Sequence, residues 1–250
     1  MINLIYICLI IAFAIILKII FGVNLKKMKE LSKENPLDNL TARLPNNEEI
    51  GKDMLKILKN KSVKIEKSVD EKSQTSLYLI TGNKIIIADN NKSFARVQTM
   101  AHECLHSIQN KNLLWFNFAF SNCYIVLTII VYLLTIFGII KNTDFYMFLL
   151  CFGGFIFFII RSYLEIDAMT KAKYLAKEYL ESTKKFNDME INELIIGYDE
   201  INKAGIPTIN YMLVINVLRK MLIYSVIILI LGIRQIIIYL KKIVTKFWRN

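Results

Sequence analysis

The sequence predicts a mainly α-helical integral membrane protein with three to four transmembrane helices and a small α+β subdomain. Of its 250 residues 54% are hydrophobic, and the mean hydropathy is +0.40. Soluble proteins of ordinary composition are less apolar, so the composition argues against a free-standing globular enzyme. The apolar residues also lie in runs of about 20, the length that crosses a bilayer core as a helix.

Four apolar runs are candidate spans, at residues 3–23, 115–140, 145–164 and 221–240. The first contains one charge, Lys18, and we interpret it as an uncleaved anchor. The alternative is a signal peptide, although the start MINLIY is uncharged and FGVNLKK is a poor cleavage match. The short connection KNTD makes the next two runs a tight helical hairpin. Arg234 interrupts the last run, which therefore spans, tilts or packs partly into the bundle.

The net charge of +11 lies mainly in two stretches. Residues 24–113 hold 16 Lys and Arg against 11 Asp and Glu, and residues 234–250 hold five against none. No stretch interleaves basic and aromatic residues as a nucleic-acid groove does, so the expected partner is the lipid bilayer. The positive-inside rule predicts a multi-pass protein of the cell membrane with residues 24–113 and 161–220 in the cytoplasm. If the last run spans the membrane, it places the basic tail outside, which disagrees with the positive-inside rule.

The segment after the anchor alternates helix and strand patterns. Asn46 or Asn47 can cap a helix over residues 48–60. Val63 and Ile65 alternate with lysines and predict a strand, and SLYLI and KIIIA around TGN predict a hairpin. A further helix is expected to begin near residues 91–93 and to run through FARVQTMAHECLHSIQ. We predict that the strand KIIIADN is a sheet edge that accepts an extended peptide; the alternative is an inner strand.

The only two histidines of the chain, His102 and His106, form the motif HECLH with Glu103 between them. Residues four apart share one face of a helix, so both imidazoles can reach one metal ion. Zinc lowers the pKa of bound water toward ~7, and the glutamate beside the first ligand can then act as general base. The motif predicts one Zn²⁺ per chain. The alternative is an ordinary surface helix. Cys104 is expected to pack rather than to bind metal.

Two histidines leave a catalytic zinc site one protein ligand short. With no third histidine, the missing ligand must be a carboxylate or a thiolate, and Glu165 at the exit of the third run is the best candidate. The alternative is an exposed ion pair between Glu165 and Arg161. Asp167 is a candidate to orient a ligand histidine through its other ring nitrogen. Candidate oxyanion stabilisers are Arg161, Tyr163 and Tyr211.

Helix length constrains how Glu165 could reach the histidines. An antiparallel hairpin about KNTD returns Glu165 to the level of residue 120, whereas one straight helix would leave His106 about 21 Å further along the axis. We therefore predict a chain break at residues 110–112, with LLWFNFAFSN as an interfacial stretch. The alternative is one continuous helix over residues 94–140 with Glu165 uninvolved.

The segment MAHECLHSIQN resembles the HExxHAIQ-type helix of YugP-like neutral zinc metallopeptidases. The segment EIDA at residues 165–168 resembles the E-[FI]-x-A segment that follows a transmembrane hairpin in that family. The resemblance implies a zincin-like metallopeptidase subdomain, membrane peptidase activity and Glu165 as third zinc ligand. The sequence departs from the family pattern at positions that are not ligands, namely Cys104, Leu105, Ser107 and Met169.

The predicted function is that of a membrane-bound zinc-dependent metalloendopeptidase whose substrates are peptides or membrane proteins near the membrane surface. The alternative is a non-catalytic membrane scaffold with a structural or vestigial zinc site; a transporter-like bundle is disfavoured because no repeat is seen. Five regions are expected: an anchor (1–23), an α+β subdomain ending in the HExxH helix (24–113), an interfacial segment and hairpin (114–164), a helical region with the third ligand (165–220), and an apolar helix with a basic tail (221–250).

Overall fold

A computed structural model describes residues 2–33, 35–68, 76–88 and 93–247. The protein is mostly helical, at 77%, with a small three-stranded sheet. The predicted helix start at residues 91–92 and the end of the basic tail lie outside the described residues. The helices are α1 (Ile2–Ile20), α2 (Leu25–Leu31), α3 (Asp38–Thr41), α4 (Asn47–Ile57), α5 (Arg96–His106), α6 (Lys111–Ile136), α7 (Thr143–Thr183) and α8 (Asp188–Phe247).

Four of the described helices are long and apolar enough to cross a membrane, as is consistent with a membrane protein. They are α1, α6, α7 and α8. The last two are much longer than a bilayer requires, with 41 and 60 residues. Arg234, which interrupts the last apolar run of the sequence, lies on the exposed surface of α8 without ending the helix.

The chain divides into two compact units. The site unit comprises Gly22–Phe118 and Ile160–Asn210, and the apolar unit comprises Met1–Phe21, Ala119–Ile159 and Tyr211–Asn250. Three of the boundaries fall inside α6, α7 and α8, so each of these helices contributes one segment to each unit.

The sheet consists of β1 (Lys64–Lys67), β2 (Leu77–Leu79) and β3 (Lys84–Ile87), in the order β1-β3-β2. A 3₁₀ turn over Ile80–Gly82 joins the antiparallel strands β2 and β3, which confirms the predicted hairpin. Strand β1 pairs with β3 in parallel. The prediction that KIIIADN is a peptide-accepting edge is wrong: Ile85 pairs with both Ile65 and Tyr78, so β3 is the central strand. The edges of the sheet are β1 and β2.

The core of the site unit joins the sheet to α4, α5 and α7. Asn46 caps α4 by accepting the Glu49 N–H at 3.0 Å, as the sequence predicts. Helix α5 buries Val97, Met100 and Ala101 completely. The small side chains on α7, which favour close approach of another helix, lie in the same core and are also fully buried; they are Ala168, Ala172 and Ala176.

The predicted break after the HExxH helix is present, and it falls slightly earlier than expected. Helix α5 ends at His106 and α6 begins at Lys111, so the connection is residues 107–110. The residues LLWFNFAFSN form the first turns of α6, and their location at the membrane interface stays a prediction. The Asn110 side chain accepts the Leu113 N–H at 3.1 Å and thereby caps the new helix. The chain therefore changes direction in the residues before Asn110.

The apolar unit packs around Tyr124, Val131, Leu150 and Tyr224. Its helices join through tyrosine hydroxyls: that of Tyr124 donates to the Leu150 carbonyl at 2.7 Å, and that of Tyr132 to the Lys220 carbonyl at 2.5 Å. Many large apolar side chains remain exposed, as is expected of surfaces that face lipid.

Candidate metal centre

Helix α5 positions both histidines by its own periodicity. His102 and His106 stand one turn apart, and their Nε2 atoms are 3.0 Å from each other. The His106 side chain is buried and that of His102 is half-buried. Because the opposite face of α5 is anchored in the hydrophobic core, the imidazole edges are held together at the surface of that core.

Glu165 on α7 completes a group of three ligand side chains. Its Oε2 lies 3.3 Å from His102 Nε2 and 3.8 Å from His106 Nε2. The point equidistant from these three atoms is about 2.0 Å from each, which matches Zn–N and Zn–O bond lengths of about 2.0–2.2 Å. The group His102, His106 and Glu165 could thus hold a metal ion.

Arg161 holds the other oxygen of the Glu165 carboxylate. Its Nη2 is 2.6 Å from Glu165 Oε1, one turn earlier on α7. The ion pair considered as an alternative to ligation therefore exists, but it is not exposed, since the Glu165 side chain is only 10% accessible. The two roles are compatible: Arg161 binds Oε1, and Oε2 faces the imidazoles.

Glu103 lies on the same helix between the two histidines. Its Oε2 accepts the backbone N–H of Tyr78 at 2.6 Å, so edge strand β2 fixes the carboxylate. Within the described residues its Oε1 has no hydrogen-bond partner. Burial raises the pKa of Glu103 to about 7, against the opposing effects of His102 and the Tyr78 N–H. A bound cation would lower this pKa, because positive charge favours the carboxylate form.

The ring of His106 is suited to ligation at neutral pH. Burial, assisted by the neighbouring His102, lowers the pKa of His106 to about 4. A neutral imidazole keeps a lone pair on one ring nitrogen, and this form binds metal ions.

Gln109 was not identified from the sequence, although it contacts the site directly. Its Oε1 is 2.8 Å from His106 Nδ1, and its Nε2 donates to the Leu164 carbonyl at 2.8 Å and to Asp167 Oδ2 at 2.9 Å. Asp167 therefore reaches the histidine only through Gln109 rather than directly. The signal available in the sequence was the spacing His-x-x-Gln, since residues three apart are neighbours on a helix.

The remaining candidates are two tyrosines and Cys104. Tyr163 is 60% exposed, and within the described chain no hydrogen bond connects it to the site. Tyr211 belongs to the apolar unit. Cys104 is fully buried, with Sγ 3.8 Å from the Gly51 carbonyl, as expected for a packing residue. Among the oxyanion candidates, Arg161 forms an ion pair with the ligand-group residue Glu165.

Comparisons with family models, curated proteins and solved structures found no match to the chain. The resemblance to YugP-like peptidases accordingly stays a prediction that rests on the sequence motifs.

Proposed function

We propose that the protein is a membrane-bound zinc-dependent metalloendopeptidase. The observation that carries the proposal is the meeting of His102, His106 and Glu165 at metal-binding separations, with Glu103 on the same helix as both histidines. Two imidazoles and one carboxylate are a ligand set of catalytic zinc sites, which keep a further position open for water or substrate. The resemblance to the YugP-like family supports the same conclusion.

In this proposal, each site residue has a distinct role in metal binding or proton transfer. His102, His106 and Glu165 hold one Zn²⁺, which when bound supplies Lewis acidity that activates water and polarises the peptide carbonyl. Glu103 takes the proton of the attacking water and delivers it to the leaving amine. Its anchored Oε2 leaves Oε1 as the basic atom.

The position of the ligand segment suggests where substrates are cut. Glu165 directly follows the apolar run 145–164, so we infer that the site lies at the membrane surface and acts on peptides or membrane-protein segments there. The lysines after α1 favour a multi-pass topology in the cell membrane with the site facing the cytoplasm; they are Lys26, Lys27, Lys29 and Lys33.

The test is to measure zinc content and cleavage of unfolded casein on detergent-purified protein. Glu103→Gln should retain one zinc per chain and lose about 10²–10⁴-fold in turnover, because the base is removed while the ligands stay. His106→Ala should lose zinc and activity together. Glu178→Gln, an exposed glutamate of α7, is the control with the same chemical change and should behave as wild type.

The outcomes separate the proposal from its alternative. Cleavage that persists in the Glu103→Gln variant would refute the role of Glu103. Stoichiometric zinc without hydrolysis in the wild type would instead favour a non-catalytic scaffold whose metal pins α5 to α7.

A further inference from the structure

The connection between α5 and α6 carries a side chain that contacts both of the helices that supply the candidate ligands. Gln109 lies three residues after His106, and its backbone N–H donates to the His106 carbonyl at 3.3 Å in the turn that ends α5. Its neighbour Ser107 is buried and accepts a hydrogen bond from the Asn60 side chain at 3.0 Å. Two hydrogen bonds therefore hold the connection in place: one within the turn itself and one from Asn60, which follows α4.

The surroundings of the Gln109 amide allow only one orientation. The two groups on its Nε2 side, the Leu164 carbonyl and the Asp167 carboxylate, can only accept hydrogen bonds. If the amide were flipped, its oxygen would face two oxygens at 2.8 and 2.9 Å. Asp167 also forms an ion pair with Lys171, whose Nζ lies 2.5 Å from Asp167 Oδ1. The NH₂ group therefore faces α7, and the amide oxygen faces His106.

This orientation decides where the His106 ring carries its hydrogen. The amide oxygen cannot donate, so the 2.8 Å contact with Nδ1 requires a hydrogen on Nδ1. In the neutral ring Nε2 is then bare, and Nε2 is the atom that faces His102 and Glu165. Within the described residues His102 has no comparable partner on its Nδ1.

We propose that Gln109 is a positioning residue that selects the metal-binding tautomer of His106 and ties it to the helix that carries Glu165. The inference rests on the metal site of the proposed function but not on catalysis. An isolated neutral imidazole exchanges between two tautomers, and only one presents Nε2 to a metal. Hydrogen bonds to the non-ligating nitrogen of a metal-bound histidine fix its tautomer and ring orientation.

The test uses the fact that the chain has two histidines. Protein labelled with ¹⁵N-histidine gives two imidazole spin systems, and long-range ¹H–¹⁵N spectra of the metal-free form assign the tautomer of each. In the wild type, His106 should be protonated on Nδ1 alone. Gln109→Met, which has similar length and no polar atoms, should give a mixture of both tautomers and a zinc Kd raised about 10–100-fold.

Two further variants separate tautomer selection from loss of packing. Gln109→Glu keeps an acceptor toward His106 but repels Asp167, so it should retain the Nδ1–H tautomer despite being destabilised. Gln98→Met removes a buried glutamine of α5 whose amide donates to Asn202 Oδ1 at 2.8 Å. It should leave the tautomer unchanged and the zinc Kd within about 3-fold, well below the range for the tautomer-directing residue.

The inference is overturned if wild-type His106 carries its hydrogen on Nε2, if Gln109→Met keeps a pure Nδ1–H tautomer, or if Gln109→Glu loses it. Each of these readings is made without metal and without substrate. A wild-type protein that binds zinc but cleaves nothing would defeat the proposed peptidase function and leave the role of Gln109 intact.

Discussion

In the site unit, side chains from α4, α5, α7, α8 and the sheet form one continuous buried core, whereas the hydrophobic cluster described for the apolar unit is small and centres on Tyr124 and Leu150. The site unit also contains charged side chains that are buried and paired, such as Glu165 with Arg161. The apolar unit instead joins its helices through tyrosine hydroxyls and a close approach at Gly154, where any Cβ would overlap the Val217 side chain.

The difference follows from the solvent expected around each unit. In water, burying apolar side chains is the main source of stability, so a domain needs a large interior. In lipid no such driving force exists between helices, and association depends on close packing and interhelical hydrogen bonds. A buried, charged metal-binding group requires an interior with fixed polar partners, which the site unit provides.

The largest expected effect is the removal of core volume from the site unit. Leu194→Ala deletes a fully buried side chain and should lower the free energy of unfolding by about 2–5 kcal/mol. The matched change in the apolar unit, Leu133→Ala, affects a side chain that is 48% exposed and should cost less than about 0.5 kcal/mol. Denaturant titration in detergent measures both; equal losses would contradict the contrast between the units.

If the site binds zinc as proposed, removing the metal should affect one unit selectively. At a free zinc concentration 100-fold above Kd, bound metal stabilises the native state by about 2.7 kcal/mol. A chelator should therefore increase hydrogen exchange in α5 and in residues 160–183, while peptides from residues 124–150 should be unchanged. His106→Ala, which cannot bind zinc tightly, should show no response to the chelator. An equal increase of hydrogen exchange in both units would show that the metal does not stabilise the site unit selectively.

A smaller effect is expected from the close helix approach in the apolar unit. Gly154→Ala places a Cβ against Val217 and within 2.9 Å of the Tyr124 hydroxyl, so it should destabilise the unit by about 1–3 kcal/mol. Gly232→Ala on α8 is the control, since no atom lies within 4 Å of its added Cβ. Alanine's higher helix propensity should make that variant slightly more stable, by up to about 1 kcal/mol. Thermal unfolding in detergent should therefore show a lower melting temperature for Gly154→Ala and a slightly higher one for Gly232→Ala; melting temperatures that shift in the same direction would contradict this account.

The smallest effect concerns the hydroxyl bonds between helices. Tyr124→Phe removes the donor to the Leu150 carbonyl and should cost about 0.6 kcal/mol, the typical value for interhelical hydrogen bonds in membranes. Tyr239→Phe, at a side chain that is 66% exposed, should be neutral. The two variants are compared by unfolding in mixed detergent micelles. A loss above about 2 kcal/mol for Tyr124→Phe would mean that polar contacts dominate this unit.

Local features of the fold could be predicted well because they depend on neighbouring residues. The cap at Asn46 and the hairpin before α5 follow from short-range patterns, and the structure confirms both. The break before α6, which is predicted from the helix lengths needed to bring Glu165 to the histidines, is also present. The position of β3 could not be predicted in this way. Whether its second edge is free depends on β1, which approaches from an earlier part of the chain by a parallel pairing.

The sequence by itself determined that His102 and His106 share one helix face, because the 3.6-residue period fixes that relation without any other contact. It also determined that α1, α6, α7 and α8 are apolar enough to span a membrane. Only the tertiary structure decided that Glu165 meets both imidazoles, that Tyr78 holds Glu103, and that Gln109 stands between His106 and Asp167. These contacts join separate elements, and their distances depend on how α7 and the sheet pack against α5, which no local pattern specifies.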